Sequence, residues 1–446
     1  MAKASLTSGS LPGHIRSIAL PMSVGYFFNT MYNVVDSFYA GRISTEALAA
    51  MALSFPVFFI IIAISGGLAR GASALIANAI GADNSEEESA YSGQILSLAV
   101  LSAIGVSIVG LSSAQSLFRV LGATGNYLQM AQDYTSPLFI GAVFFLLSSM
   151  SNAILLAHGD SKTYSRVLIT GFFLNLILDP WFLYGGLGLP AMGIKGIAWA
   201  TVSIQVLGSI YMLSVVICRG FINLNCVKHL TPDLQVYAKI LKQGIPTSFN
   251  LMSVALGFFV TTYFLKFYGE NAVAAFGVGT RIEQIALLPA IGLGSAIVSI
   301  VGQNNGAGNI ERVRECVNLC FKYGLYLILT ASAMLLIFAP TLVKLFTDDA
   351  EVISLGVQYV RIMAFIQWAY VTGFIYIGFL QAMKRPMYGF VEAFLRKVIL
   401  PIVVLSTAVY FWKLDLNGFW IASCAINVVM AIVTLVYARR LLAKLE

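Results

Sequence analysis

Charge is the scarce ingredient of this sequence. Of 446 residues, 27 are Lys or Arg and 20 are Asp or Glu, 11% in all, against 59% hydrophobic residues and a mean hydropathy of +0.84. Soluble domains carry about 25% charged residues, and a single core stops growing near roughly 250–300 residues. A water-soluble chain is therefore excluded, and lipid must serve as part of the solvent. Histidine is scarcer still: three residues (His14, His158, His229), none spaced from a Cys or an acid as metal ligands are, exclude a metal cluster. The five cysteines (Cys218, Cys226, Cys316, Cys320, Cys424) have one close pair, a helical turn apart, and read as packing thiols, so no cofactor is implied. The net charge of +7 is dispersed over short loops and never forms a dense basic stripe, which excludes nucleic acid as a partner. No nucleophile and base gather at one place, so the chain is not read as an enzyme. The polar start MAKASLTSGSLPG leads into an apolar run too long for a secretory signal and without a convincing cleavage site, so the first span is expected to remain.

What is abundant is apolar sequence in long runs. A hydrocarbon core of about 30 Å takes roughly 20 apolar residues per helix, and runs of that size predict an all-α integral membrane protein with twelve transmembrane helices. The expected spans are 15–40, 52–80, 92–114, 133–157, 164–184, 194–218, 243–267, 277–304, 318–341, 357–382, 390–412 and 416–438. The longest polar interruption falls at mid-chain, giving an N-lobe over 1–218, a linker over 219–242 and a C-lobe over 243–446. Lys and Arg, among them Arg219, Lys239, Arg385, Arg396 and Lys397, gather on the side that holds both termini, which the positive-inside rule makes cytoplasmic.

The halves repeat. At an offset of 225, Pro21 falls on Pro246, Ser23 on Ser248, Gly67 on Gly292, Tyr134 on Tyr359, TEALAAMAL (45–53) on ENAVAAFGV, and GADN (81–84) on GAGN (306–309). Six spans per half insert both halves in the same orientation, so the six-helix bundles are related by a parallel internal repeat, a plan used by alternating-access transporters.

Against this background each ionisable residue in a span stands out, because its insertion costs roughly 2.5–3.5 kcal/mol at the bilayer centre. Asp36 lies in span one, with Asn29 and Asn33 on the same helical face. It reads either as a coupling carboxylate or as an acid snorkelling to the outer end of its span. Its repeat position is Thr261, so the acid belongs to one lobe only. Asp179 has Asn175 four residues earlier and Pro180 directly after it, and reads either as a cation ligand or as a turn residue beside proline. Thr201 adds an oxygen, and the set Asp36, Asn175, Asp179 and Thr201 fits a Na⁺ site or a proton site. Glu283 in span eight is a second-lobe candidate or an interfacial acid, and Arg70 in span two must pair or face water. Pro21 deletes a hydrogen bond of the helix that carries Asp36, which makes a protonation-dependent bend or a static kink of that helix equally open.

These residues resemble the multidrug and toxic compound extrusion (MATE) family, most closely its bacterial DinF-like branch. The resemblance is carried by Pro21 and Asp36, SGGLARGASALIANAIGADN (65–84), Tyr134 with Pro137, Asn152, Asn175 with Asp179, Thr201, and AIVSIVGQNNGAGN (296–309). It implies a monomeric multi-pass protein of the bacterial inner membrane that exports small organic, mostly cationic, compounds by alternating access in exchange for H⁺ or Na⁺, with H⁺ preferred. It also implies an ion site at Asp36, Asn175, Asp179 and Thr201, with Tyr134 and Asn152 in its network and a helix-one hinge at Pro21. Span ten and Thr261 supply no carboxylate, a departure from members with acids deeper in the second lobe. The rival reading is a lipid-linked oligosaccharide flippase of the same superfamily, which is expected to need several basic residues in its spans where only Arg70 and Arg281 are counted.

Overall fold

Lipid offers the backbone no hydrogen-bond partner, so a chain this apolar must satisfy its amides within its own elements. In the computed structural model, which describes residues 6–186, 188–222 and 231–445, nearly every amide is helical; the one β-bridge among the described residues joins Gly186 and Leu189. The spans are α1 (Leu11–Ile43), α2 (Thr45–Gly81), α3 (Ser85–Val120), α4a (Gly125–Ile140) with α4b (Ala142–Ala157), α5 (Lys162–Tyr184) and α6 (Ile194–Cys218). The second half supplies α7 (Leu234–Leu265), α8 (Glu270–Gly306), α9 (Ile310–Lys344), α10a (Ala350–Ala364) with α10b (Gln367–Ala382), α11 (Pro386–Phe411) and α12 (Leu416–Ala443). Nine of these helices are long and apolar enough to cross a membrane alone, and the two bent pairs bring the number to eleven. α1, 33 residues long but made more polar by Asn29, Asn33 and Asp36, completes the twelve expected from sequence. Large apolar side chains such as Ile108, Ile177, Ile337 and Phe365 are exposed along these helices, as lipid contact requires.

The repeat is legible helix by helix. α2 and α8 both run 37 residues and begin 225 apart, and α4b and α10b begin and end 225 apart. Both fourth spans break: α4 bends by 48° and α10 by 51°. In α4 the break sits at Gly141, four residues after Pro137, which has no N–H to offer the helix. α10 bends at Phe365 and Ile366 without any proline, which the sequence reading did not foresee. Gly141 also lets α6 approach, since a Cβ there would lie 2.7 Å from both methyls of Val202. Gly141→Ala should therefore cost about 1–3 kcal/mol through overpacking, measured as a lower melting temperature of the purified protein.

One further pair shows the repeat in side chains. In the first half Asn126 Nδ2 donates to Glu46 Oε2 at 3.3 Å, and in the second half Asn271 Nδ2 donates to Glu351 Oε2 at 2.6 Å. Glu46 and Asn271 are repeat mates, as are Asn126 and Glu351, so the contact persists with donor and acceptor exchanged.

Packing divides the chain into two compact units, Val24–Ser248 and Met1–Ser23 with Phe249–Glu446. The division crosses α1 after Ser23 and α7 after Ser248, two positions 225 apart. The linker expected at 219–242 includes residues 223–230, which lie outside the described residues. In the Val24–Ser248 unit, α2 packs against α3, α4a and α4b, and in the other unit α8 packs against α9, α10a and α10b. α2 also crosses the start of α7 so closely that a Cβ on Gly67 would lie 2.1 Å from Ser248 Oγ and 2.4 Å from its backbone nitrogen. In the other unit Gly292 of α8 meets α1 in the same way, its absent Cβ 2.2 Å from Ser23 Oγ and 2.5 Å from the Ala19 carbonyl.

Candidate functional site

Buried acids without basic partners are the features that cost this fold most, and the Val24–Ser248 unit holds two together. Asp36 is near the end of α1 and Asp179 near the end of α5, helices that run in the same sense, so both carboxylates lie at the same level of the unit. Asn175 is one turn before Asp179, and its amide nitrogen donates to Asp36 Oδ1 and Asp179 Oδ1, both at 2.8 Å. All three side chains are buried, Asn175 and Asp179 completely. Thr201 on α6 faces Asp36 and Tyr32 without meeting hydrogen-bond geometry to either, and Tyr134 on α4a lies within electrostatic reach of both acids.

The oxygens around this bridge are incompletely satisfied. Asn175 Oδ1, Asp179 Oδ2, Thr201 Oγ1 and Tyr32 OH are all buried and have no hydrogen-bond partner. Among the described residues no Lys, Arg or His comes within ion-pair distance of Asp36 or Asp179. Two carboxylates, an amide carbonyl and two hydroxyls converging without a counter-charge form a set that a proton or a hard monovalent cation would complete. No group of three or more His, Cys, Asp or Glu suited to a metal ion occurs among the described residues.

Several expected neighbours lie elsewhere. Asn29 and Asn33 are exposed, with Asn33 donating to the Asn29 carbonyl, so the face of α1 that meets the acids is carried by Tyr32 at i−4 and not by the asparagines. The i−4 spacing was available in the sequence, and Tyr32 is the residue that reading missed. Asn152 on α4b keeps a buried Oδ1 without a partner, and no hydrogen bond joins it to the carboxylates. Pro21 sits inside an unbroken α1. Arg70 is half-buried and forms no hydrogen bond or ion pair with the described residues.

The other unit contains a second acid. Glu283 on α8 is buried and accepts from Tyr359 OH at 3.0 Å and from Gln367 Nε2 at 3.3 Å. The bend in α10 makes this possible by placing Tyr359 on one side of the break and Gln367 on the other. The Tyr359 ring reaches α8 because Gly279 has no side chain; a Cβ there would lie 2.1 Å from the ring. Phe276 and Trp420 pack on that ring edge-on. Tyr134 and Tyr359 are repeat mates, so equivalent tyrosines face acids borne on non-equivalent helices: α1 and α5 in one unit, α8 in the other.

The structure also corrects the placing of Arg396 and Lys397. Counted with the basic side that holds both termini, although the expected span 390–412 already contains them, they lie inside α11, where the first π turn, Leu395–Ile399, occurs. Arg396 is held by Glu392 Oε1 at 2.6 Å and by Asn427 Oδ1 at 3.3 Å. The charge of Arg396 is carried inside the span because α11 supplies its own carboxylate one turn away.

Comparison with known proteins places this geometry. The family model MatE matches twice, over residues 21–181 and 246–407, the two matches starting 225 apart. Among similar proteins, the "Probable multidrug resistance protein YoeA" of Bacillus subtilis is 28% identical over 373 residues, covering 81% of this chain and 79% of its own. A "FAD transporter" of Shewanella oneidensis is 26% identical over 445 residues, covering 98% of this chain and 96% of its own. Among solved structures, a crystal structure of MATE in complex with MaL6 superposes with a TM-score of 0.93 at 27% identity, covering 100% of this chain and 99% of that one.

Proposed function

The chain belongs to the MatE family of multi-pass membrane transporters, and from that premise we propose that it is a cation-coupled antiporter exporting organic compounds by alternating access, with Asp36 as the coupling carboxylate. The observation that carries this reading is the buried pair Asp36 and Asp179, bridged by one amide and reached by no basic side chain. Two acids so placed repel one another until a cation enters or a proton is taken up, so occupancy of the site changes the charge of the unit. A proton is the preferred ion because it satisfies one carboxylate at a time without needing the four to six oxygens that a bound metal cation gathers about it. Na⁺ is the alternative, with Asp36, Asn175, Asp179 and Thr201 as its ligands.

The exported class is small organic molecules, with organic cations the natural competitors for an acidic site that excludes bases. The similarity to named multidrug resistance proteins supports this. The protein is proposed to act as a monomer in a bacterial inner membrane with both termini in the cytoplasm. The flippase reading gains little from the basic residues found inside α11, because Arg396 is already paired with Glu392.

The test is ethidium efflux from proteoliposomes containing the purified protein, driven by a pH gradient or by a Na⁺ gradient alone. Efflux under one gradient and not the other is the expected result and names the ion. If neither gradient moves ethidium, the antiporter reading is wrong.

A further inference from the structure

Lys397 lies eleven residues after Pro386 and fourteen before Phe411, so at about 1.5 Å per residue it is roughly 16 and 21 Å from the ends of α11. That is near the middle of a span, where an ammonium group is costly and marks function by default. The backbone around it is irregular: Leu395–Ile399 is a π turn, and Pro401 has no N–H to give the Lys397 carbonyl. π turns inside helices are enriched at functional sites. α7 accommodates the bulge through Gly257, whose absent Cβ would lie 2.8 Å from Lys397 Cβ and 2.9 Å from its carbonyl oxygen.

The surroundings leave the ammonium group without an acceptor. Its Nζ is 5.2 Å from the centre of the Tyr370 ring, a cation–π contact that steadies charge but takes no hydrogen bond. Among the described residues no carboxylate lies within 4.0 Å of it. Of the acids nearby, both oxygens of Glu283 accept, from Tyr359 and Gln367, and Glu392 holds Arg396 through Oε1 while its Oε2 has no partner and lies beyond ion-pair distance of the ammonium group. Three N–H donors at mid-span, partly accessible and unmatched, form one half of an ion pair.

We propose that Lys397, backed by Tyr370 and Gly257, binds the anionic group, a carboxylate or phosphate, of a transported organic molecule. The inference rests on the reading of the chain as an exporter of organic molecules and widens its substrates from cations to anions and zwitterions. The depth of Lys397 sets it apart from lipid headgroups, so the anion arrives on a solute. Glu283 interacts electrostatically with the ammonium group and limits how much negative charge the site accepts.

The experiment is fluorescence anisotropy of 5-carboxyfluorescein titrated with the full-length protein in phosphatidylcholine nanodiscs. Saturable binding is expected for the wild type. Lys397→Gln should weaken it about tenfold, the equivalent of about 1.4 kcal/mol, while Lys397→Arg should keep it within about threefold. Glu283→Gln, which removes a nearby like charge to the ligand, should tighten binding by about threefold. Opposite signs from two neighbours in one site are what a merely structural role would not produce. The proposal is overturned if the wild type shows no saturable binding, if Lys397→Gln binds as the wild type does, or if Glu283→Gln weakens binding as Lys397→Gln does. Ethidium efflux, measured separately, reports whether the exporter reading itself stands.

Discussion

Asp36→Asn should reduce gradient-driven ethidium efflux by about 100-fold, toward the leak of protein-free liposomes, while leaving the protein as stable as the wild type or more so. The size follows from coupling free energies of about 1–3 kcal/mol, whose upper end corresponds to about that factor. An ion shifts a conformational equilibrium only through unequal affinity for the two states, and a neutral amide at position 36 binds neither proton nor cation well enough to supply the difference. The stability follows from geometry. An amide oxygen can still accept the hydrogen bond from Asn175 Nδ2, without the charge assistance of a carboxylate, and removing one of two mutually repelling charges more than offsets that loss. Efflux and thermal melting measured on the same preparation separate the two effects. Undiminished efflux in the variant would remove Asp36 from the coupling role, and a collapse of both readouts would make it a structural residue. Asp179→Asn is expected to behave in the same direction, since its Oδ1 shares the same amide donor.

The largest effect on folding is expected from Gly67→Val. A Cβ at Gly67 would meet the Ser248 nitrogen at 2.4 Å and its Cα at 2.5 Å, atoms of a helix backbone that cannot turn aside as a side chain can. α2 and α7 would have to separate, exposing the small-residue crossing, at a cost of about 3 kcal/mol or more. The repeat mate Gly292 allows a sharper comparison. Its nearest obstacles are the Ser23 hydroxyl, which can rotate, and the Ala19 carbonyl at 2.5 Å, with the Ser23 nitrogen farther off at 3.3 Å. Gly292→Val should therefore destabilise less than Gly67→Val. The ordering is read from melting temperatures and from the monodisperse fraction on gel filtration in detergent, and an inverted order would contradict the packing described at the two crossings.

The twelve spans were legible because apolar runs are the strongest signal a membrane sequence carries, and each expected span falls on one helix or one bent pair, although most helices run several residues past the expected ends. The repeat was legible in Pro, Gly and Asn, residues that apolar composition does not place by chance. Within the candidate site, Asn175 and Asp179 could be read together from their i, i+4 spacing, but that Asn175 also bridges to Asp36, 139 residues away, is a fact of packing alone. Tyr32 was readable from its spacing to Asp36, whereas Asn29 and Asn33 were misread because sharing the helical side of Asp36 does not bury a residue one or two turns away, and both are exposed. The bend of α10 left no trace in the sequence, having no proline, and with it the meeting of Gln367 and Glu283 stayed hidden. Arg396 and Lys397 were counted with the basic side although they fell within an expected span; both sit on a π turn, and Arg396 has a carboxylate a turn away.

The exchanged pair at Glu46–Asn126 and Asn271–Glu351 constrains the history of this chain. Had the two halves arisen by duplication of one ancestral bundle with substitutions fixed singly, one lineage must have passed through a stage with two amides or two carboxylates facing each other. Two amides can still donate and accept, whereas two ionised carboxylates offer no donor and repel. The passable order is acid to amide first and amide to acid second, so an alignment of the halves that scores these positions as unrelated overlooks the contact that both inherited.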